Sequence, residues 1–452
     1  MSVPGTPRQR KALLLLLLSA VVSIVWSLGI ARNSYSGMGA FKAIFYGTRC
    51  LMQHRDPYNP AVLQQVYRSE GGSFPSNPAD ASFFRRSMLI CVNLPTSLFL
   101  IAPFALLPWR LAALLWMGLN AASLILAAWL IWRIAGRIAL KPATLLIGLV
   151  LVNSELVLST GNLAAVVTGL CIVAAWCFVE ERFLFVGAVC LAIGLLCKPH
   201  DAGLVWLYFL LAGGARRKGA VEALGVVVAL ALPAMLWNFH AAPHWPQELR
   251  ANMATLAAHG SVNDPGPDAM TFHSPDPVIC LQSPLSLIRD DPRFYNLASY
   301  AVCGLLLLTG AVRTLRVPFT RRNAWLALAA IAPLSMLPVY HRTYDAKLLL
   351  LAVPACAMLW REGGPRKWLA GVLTTLAIAC TSDVPVVFLL TLMNGMKNSR
   401  LESPQGKLLT AFVFHPAALA LLAMGLFYLW AYVERSRRFA PSPEGGAEDC
   451  NG

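Results

Sequence analysis

The sequence predicts an all-α polytopic membrane protein built as a bundle of about twelve transmembrane helices. Three observations predict it. Of 452 residues, 57% are hydrophobic and 13% charged, with a mean hydropathy of +0.59; soluble domains carry nearer about a quarter charged residues. Apolar stretches of about twenty residues, the length that spans a bilayer, recur along the whole chain. The basic residues sit in short clusters between those stretches: Arg8–Lys11, Arg216–Lys218, Arg313–Arg322, Arg361–Lys367 and Arg435–Arg438. That is the pattern of Lys and Arg held on the cytoplasmic side, so the net charge of +15 does not point to nucleic acid. A β-barrel would show short alternating segments instead. Runs such as Leu13–Leu18 and Leu348–Leu351 are too uniformly apolar for the one-faced surface helices of a soluble α-protein.

Candidate spans run over 12–31, 88–107, 111–134, 142–157, 160–179, 184–198, 202–214, 219–238, 296–315, 323–339, 346–361, 367–390 and 409–433. No small-x-small cleavage site follows 12–31, so it reads as the first span and not as a removed leader. Basic clusters at both termini place them on the cytoplasmic side, which requires an even number of crossings. One of the thirteen segments therefore does not cross. The expectation falls on 142–157, short and ending in the polar "NSELVLSTGN", as a half-helix that dips in and returns. This choice leaves Arg133–Lys141 on the outer side, against the charge rule.

Residues 1–433 are expected to form one integral-membrane domain, with 434–452 a disordered cytoplasmic tail. Two long loops, 32–87 and 239–295, fall outside the cytoplasm. In the first, Phe41, Ile44, Phe45, Leu51, Val62, Leu63 and Val66 recur at helical spacing, which predicts amphipathic helices lying along the interface, broken at "DPYNP". The eleven cysteines follow no metal spacing. Cys50 and Cys280 share the outer side, so a disulfide between them is open.

The same bookkeeping puts "CKPHD" (197–201) and "YHRTYDAK" (340–347) on the outer face with both loops. Ionisable groups at membrane depth are costly and default to functional candidates. In the second stretch His341, Arg342 and Lys347 offer donors to an anion, Asp345 can orient one of them, and Tyr344 stands beside them. The bland alternative is an aromatic belt with snorkelling cations. In the first stretch Lys198, His200 and Asp201 repeat the theme, and Pro199 opens a helix whose N–H groups can receive an anion. Asn162 and Glu155 fall near the same surface. Asp56 in "HRDPYNP" is either a base or an Asp-Pro turn residue. His259, Asp264, Asp268 and His273 lack tight metal spacing, so no metal is expected. No phosphate-binding Gly-rich loop or dinucleotide motif is present, and no cofactor is expected.

Such a set suits a lipid-borne phosphate. The lipid chain lies in the bilayer, its phosphate sits at headgroup level, and Lys or Arg neutralises it. Sugar transfer from that phosphate needs in addition one carboxylate or His to take the proton of the acceptor hydroxyl.

The ordered stretches "AFKAIFYGTRCLMQHRDPYNP", "NLPTSLFLIAPFALLPW", "TGNLAAVVTGL", "GLLCKPHDAGLVWLYFLL" and "YHRTYDAKLLLLAVPACAMLW" resemble glycosyltransferase family 87, also known as domain of unknown function 2029. The resemblance implies a GT-C type enzyme of the bacterial inner membrane. It would transfer a hexose such as mannose, with inversion, from a polyprenyl-phosphate donor to a lipid or glycan acceptor on the non-cytoplasmic face. Lys198 and His341 match positions expected near the phosphate, with His200, Arg342, Tyr344 and Asn162 completing the donor site; Asn162 stands where the family usually has Gln. The family's catalytic Asp, in an Asp-Phe pair of the first loop, is Ala40–Phe41 here. The base then falls to Asp56, Asp345 or His341. Two rivals remain open: a transporter or flippase of a lipid-linked or anionic solute, which would spread polar groups through its spans, and an inactive member serving as a scaffold.

Overall fold

The computed structural model describes residues 6–33, 37–272, 274, 277–383, 392 and 403–437. Helices dominate these residues and no strand occurs among them; one isolated bridge pairs Val278 with Arg342. Among the described residues seven helices are long and apolar enough to cross a membrane: Pro7–Arg32, Trp109–Ala135, Leu140–Thr160, Gly214–Ala241, Pro292–Arg316, Thr343–Glu362 and Ala417–Glu434. This is the architecture of a polytopic membrane protein.

Five shorter helices, Ala164–Val179, Leu184–Cys197, Pro199–Ala212, Arg321–Ser335 and Pro365–Cys380, also run from one end of the bundle to the other. Contacts fix the two ends. At one, Arg321 pairs with Glu180, Arg216 with Glu181, Arg322 with Glu362 and Arg366 with Glu434. At the other, Lys198 meets Asp201 and Asp345, and Ser299 donates to the carbonyl of Leu337. Tight turns at the ion-pair end use glycine where the backbone turns left-handed: Gly213 (φ 77°) before Gly214–Ala241, and Gly363 and Gly364 (φ 77° and 70°) before Pro365–Cys380.

Two expectations are corrected. The segment 142–157 is not a short half-helix. Helix Leu140–Val152 continues, after a break at Asn153 and Ser154, into Glu155–Thr160, and together they are long enough to cross. Ser27 of the first helix reaches the Glu155 carbonyl, and Ser19 lies against Gly148, so the two run side by side in parallel. Trp109 stacks on Phe41 of the first loop, so Arg133 and Lys141 fall at the opposite end, with the other basic clusters.

The segment that turns back is 88–107. Residues 89–94 are non-helical, and helix Pro95–Ala105 spans about 16 Å at 1.5 Å per residue. It starts and finishes against the same helix, Gly39–Met52: Thr48 donates to Leu98 near its start and Arg49 to Leu107 past its end.

The first loop folds as three helices, Gly39–Met52, Pro60–Ser69 and Pro78–Met88. The first packs its apolar face inward: Phe41, Phe45 and Leu51 are fully enclosed in an aromatic core with Trp109 and Trp116. Prolines start each of the other two, after Asn59 and Asn77 side-chain caps. Cys50 and Cys280 are each buried with free thiols, so no disulfide joins them. The expected disordered tail lies outside the described residues beyond 437.

Candidate active site

Pro199 ends one helix and begins the next, which leaves Lys198 at the junction of Leu184–Cys197 and Pro199–Ala212. Asp201 sits in the first turn of the second helix, where a carboxylate is favoured. Facing them, 339–342 runs extended beside 278–281, held by Ile279 N–H to His341 O at 2.9 Å and Leu281 N–H to Leu337 O at 2.9 Å. The chain then enters the 3-10 helix Thr343–Ala352, whose start Asp345 caps by accepting the Arg342 N–H at 3.0 Å.

The two stretches meet. Lys198 Nζ donates to Asp345 Oδ1 and lies 3.2 Å from Asp201 Oδ2. His341 Nε2 is 3.1 Å from Asp201 Oδ1, and its Nδ1 is 3.0 Å from the carbonyl of Val339. The Lys198 ammonium lies 5.2 Å from the centre of the Tyr344 ring, and His200 packs edge-to-face on His341 at 4.9 Å. All of this is buried save His200: Lys198 is 9% exposed, Asp201 4%, Asp345 1% and His341 0%.

Both nitrogens of His341 face acceptors, so both are satisfied only when the ring carries two protons. Burial opposes that charge, but the Asp201 carboxylate outweighs it and the ring titrates above its ordinary value. Burial likewise opposes the charge on Lys198, and its two carboxylates keep it cationic. With His341 doubly protonated, the cluster sets two cations against two carboxylates and balances its charge within itself.

Other expected residues are elsewhere or otherwise engaged. The Arg342 guanidinium turns away, donating to Val262 O, to Asn263 Oδ1 at 3.2 Å and to Tyr340 at 2.5 Å. It ties the loop 256–268 to the site. Asn162 caps a helix by accepting the Ala164 N–H at 3.0 Å. Asp56 forms an Asx turn with Tyr58 N–H at 2.8 Å and bonds Glu248, whose carboxyl this raises to about 7. Among the described residues no hydrogen bond or ion pair links Asp56 to the Lys198 cluster. Lys347 does not join the cluster either; it donates to the carbonyl of Asn153. Ala40 lies in the first turn of Gly39–Met52.

Asp201 joins the site as "CKPHD" led one to expect, and it bridges Lys198 and His341. Its signal is the i, i+3 spacing from Lys198 across a helix start. His200, Asp201 and His341 stand close enough to share a metal ion, as do the exposed His259, Asp268 and Asp290. In the first group Lys198 already occupies the open side of Asp201 with positive charge, which does not fit a cation. His273 lies outside the described residues.

An apolar pocket of about 60 Å³ begins one turn beyond Asp201, lined by Leu204, Leu207, Leu211, Leu306, Ile331 and Leu334. It runs along the helices that carry the site, toward the ion-pair end.

The family model for glycosyltransferase family 87 matches residues 92–271, the same family that the sequence resembles. The match includes Lys198 and Asp201 and stops short of His341 and Asp345. Among curated proteins, no match is found. The family match together with the helical bundle supports a glycosyltransferase integral to a membrane.

Proposed function

We infer that this protein transfers a sugar from a polyprenyl-phosphate donor to a hydroxyl of a lipid or glycan acceptor, at the bundle end that carries Lys198. The observation that carries the reading is the buried Lys198, gripped by Asp201 and Asp345 beside a doubly hydrogen-bonded His341. An anionic headgroup is the ligand such a pair of cations suits, and the small apolar pocket one turn further along the helix of Asp201 suits a short segment of the lipid chain.

The self-neutralised state dictates the order of events. A donor phosphate replaces Asp345 on Lys198, which releases Asp345 Oδ1 while Oδ2 stays anchored on the Arg342 N–H. The freed carboxylate takes the proton of the acceptor hydroxyl as its oxygen attacks the anomeric carbon. The bond from that carbon to the phosphate oxygen breaks with inversion, and the leaving phosphate stays on Lys198 and the His341 imidazolium. Asp345 thereby takes the place that Ala40 leaves empty. Asp56, engaged with Glu248, stands apart.

The experiment is transfer from a purified polyprenyl-phospho-sugar in proteoliposomes. Lys198→Ala should lose about 10²–10³-fold in turnover, the typical effect of removing one charge-stabilising donor. Full transfer by Lys198→Ala would overturn the phosphate assignment. Labelled lipid crossing the vesicle without chemical change would favour the flippase, and a wild type inert toward every donor would favour the scaffold.

A further inference from the structure

A second group of ionisable side chains lies inside the bundle, apart from Lys198. Glu155 opens the helix Glu155–Thr160 just after the break at Asn153 and Ser154. Asp383 follows the end of Pro365–Cys380, and Lys347 comes from the 3-10 helix. They are 6%, 4% and 3% exposed. Asp383 Oδ2 accepts the Leu156 N–H at 3.0 Å, and the Thr343 hydroxyl donates to the same carboxylate. Lys347 donates to Asn153 O.

Three buried oxygens here have no hydrogen-bond partner: Oε2 of Glu155, Oδ1 of Asp383 and the hydroxyl of Ser23. Ser23 is one turn before Ser27, whose own hydroxyl reaches Glu155 O at 3.3 Å. The first helix brings Ser23 and Ser27 to the group, and the helix-break brings Asn153. Leu124, Val157 and Ala165 nearby are apolar, and Tyr344 packs in the same cluster. Among the described residues Lys347 is the cation acting on either carboxylate.

Among the described residues the charge does not close. Two carboxylates and one ammonium leave a net negative charge sealed from water, and each carboxylate keeps an oxygen with no donor. A single added proton removes the net charge and turns one unpartnered oxygen into a donor. A metal cation would sit beside the Lys347 ammonium and be repelled by it, whereas a protonated carboxyl is neutral. We propose that Glu155 and Asp383 form a proton-binding site, the pair carrying one proton opposite Lys347. The site belongs to neither the transfer chemistry nor its substrates, so it stands or falls independently of the proposed function.

Infrared spectroscopy of the full-length protein in nanodiscs tests it. At neutral pH the wild type should show the carbonyl stretch of a buried protonated carboxyl, absent from Glu155→Gln and from Asp383→Asn, where the remaining carboxylate pairs with Lys347. The band should survive in Asp345→Asn. Wild type lacking the band at neutral pH overturns the proposal even if neither variant folds. So does a band that persists in both variants, or one lost only in Asp345→Asn. Sodium that raises the thermal midpoint saturably while no carboxyl band is seen would make the site a metal-ion site and overturn the proton assignment.

Discussion

The two ends of the bundle use the same residue types in opposite ways. At the ion-pair end Arg321, Arg322 and Glu181 keep 64%, 42% and 53% of their side chains exposed while pairing with Glu180, Glu362 and Arg216. At the site end Lys198, Asp201, His341 and Asp345 pair in a space almost without solvent. Exposed pairs contribute little, because water screens them and holding long side chains costs entropy. Buried pairs are expensive to assemble and more expensive to break, since a lost partner strands a charge. Evolution has no stability reason to retain the second kind when apolar residues of equal size pack as well. Burial, more than the presence of charge, marks where chemistry belongs.

That contrast can be broken or sharpened in four ways. Asp345→Asn removes the proposed base and should lower kcat by about 10²–10⁴-fold, measured as single-turnover transfer. Lys198→Met strands Asp201 and Asp345 and should destabilise by about 3–5 kcal/mol, read from unfolding in detergent. Adding Asp345→Asn to Lys198→Met should recover part of that loss, and no recovery would argue against direct coupling. The third concerns pH. His341 has a raised pKa in the fold, so its charged form and its stabilising bond to Asp201 are fully present below its ordinary range. They are lost as pH rises through the raised value. Transfer should therefore fall on the alkaline side, and His341→Gln should lose that limb while keeping residual activity. The smallest effect is expected from Arg321→Ala, under about 1 kcal/mol. A cost near that of Lys198→Met would erase the distinction between the ends.

The meeting of Lys198 with 340–347 was legible in the sequence, because counting crossings from Glu180 onward puts both stretches at one end without any knowledge of packing. Such counting needs only apolar lengths and basic clusters. It failed where apolar length misleads: 88–107 reads as one greasy run, yet Pro95 starts a new helix after a non-helical stretch and the segment returns to its own side. With that segment excluded in place of 142–157, Arg133–Lys141 falls with the other basic clusters. The fate of single side chains was not legible. Arg342 and Lys347 look equivalent to His341 in "YHRTYDAK", but direction in a 3-10 helix and its extended lead-in sends each elsewhere. Asn162 and Asp56 were attractive as polar residues at the right end. Both serve backbone turns, the commonest use of Asn and Asp beside a helix start.

The segment Thr343–Ala352 winds at about 120° per residue, against about 100° in an α-helix. Asp345 points from it into one polar nest and Lys347 into another. One coil thus holds a carboxylate in one polar nest and an ammonium in the other, so a proline placed inside it would disturb both nests at once.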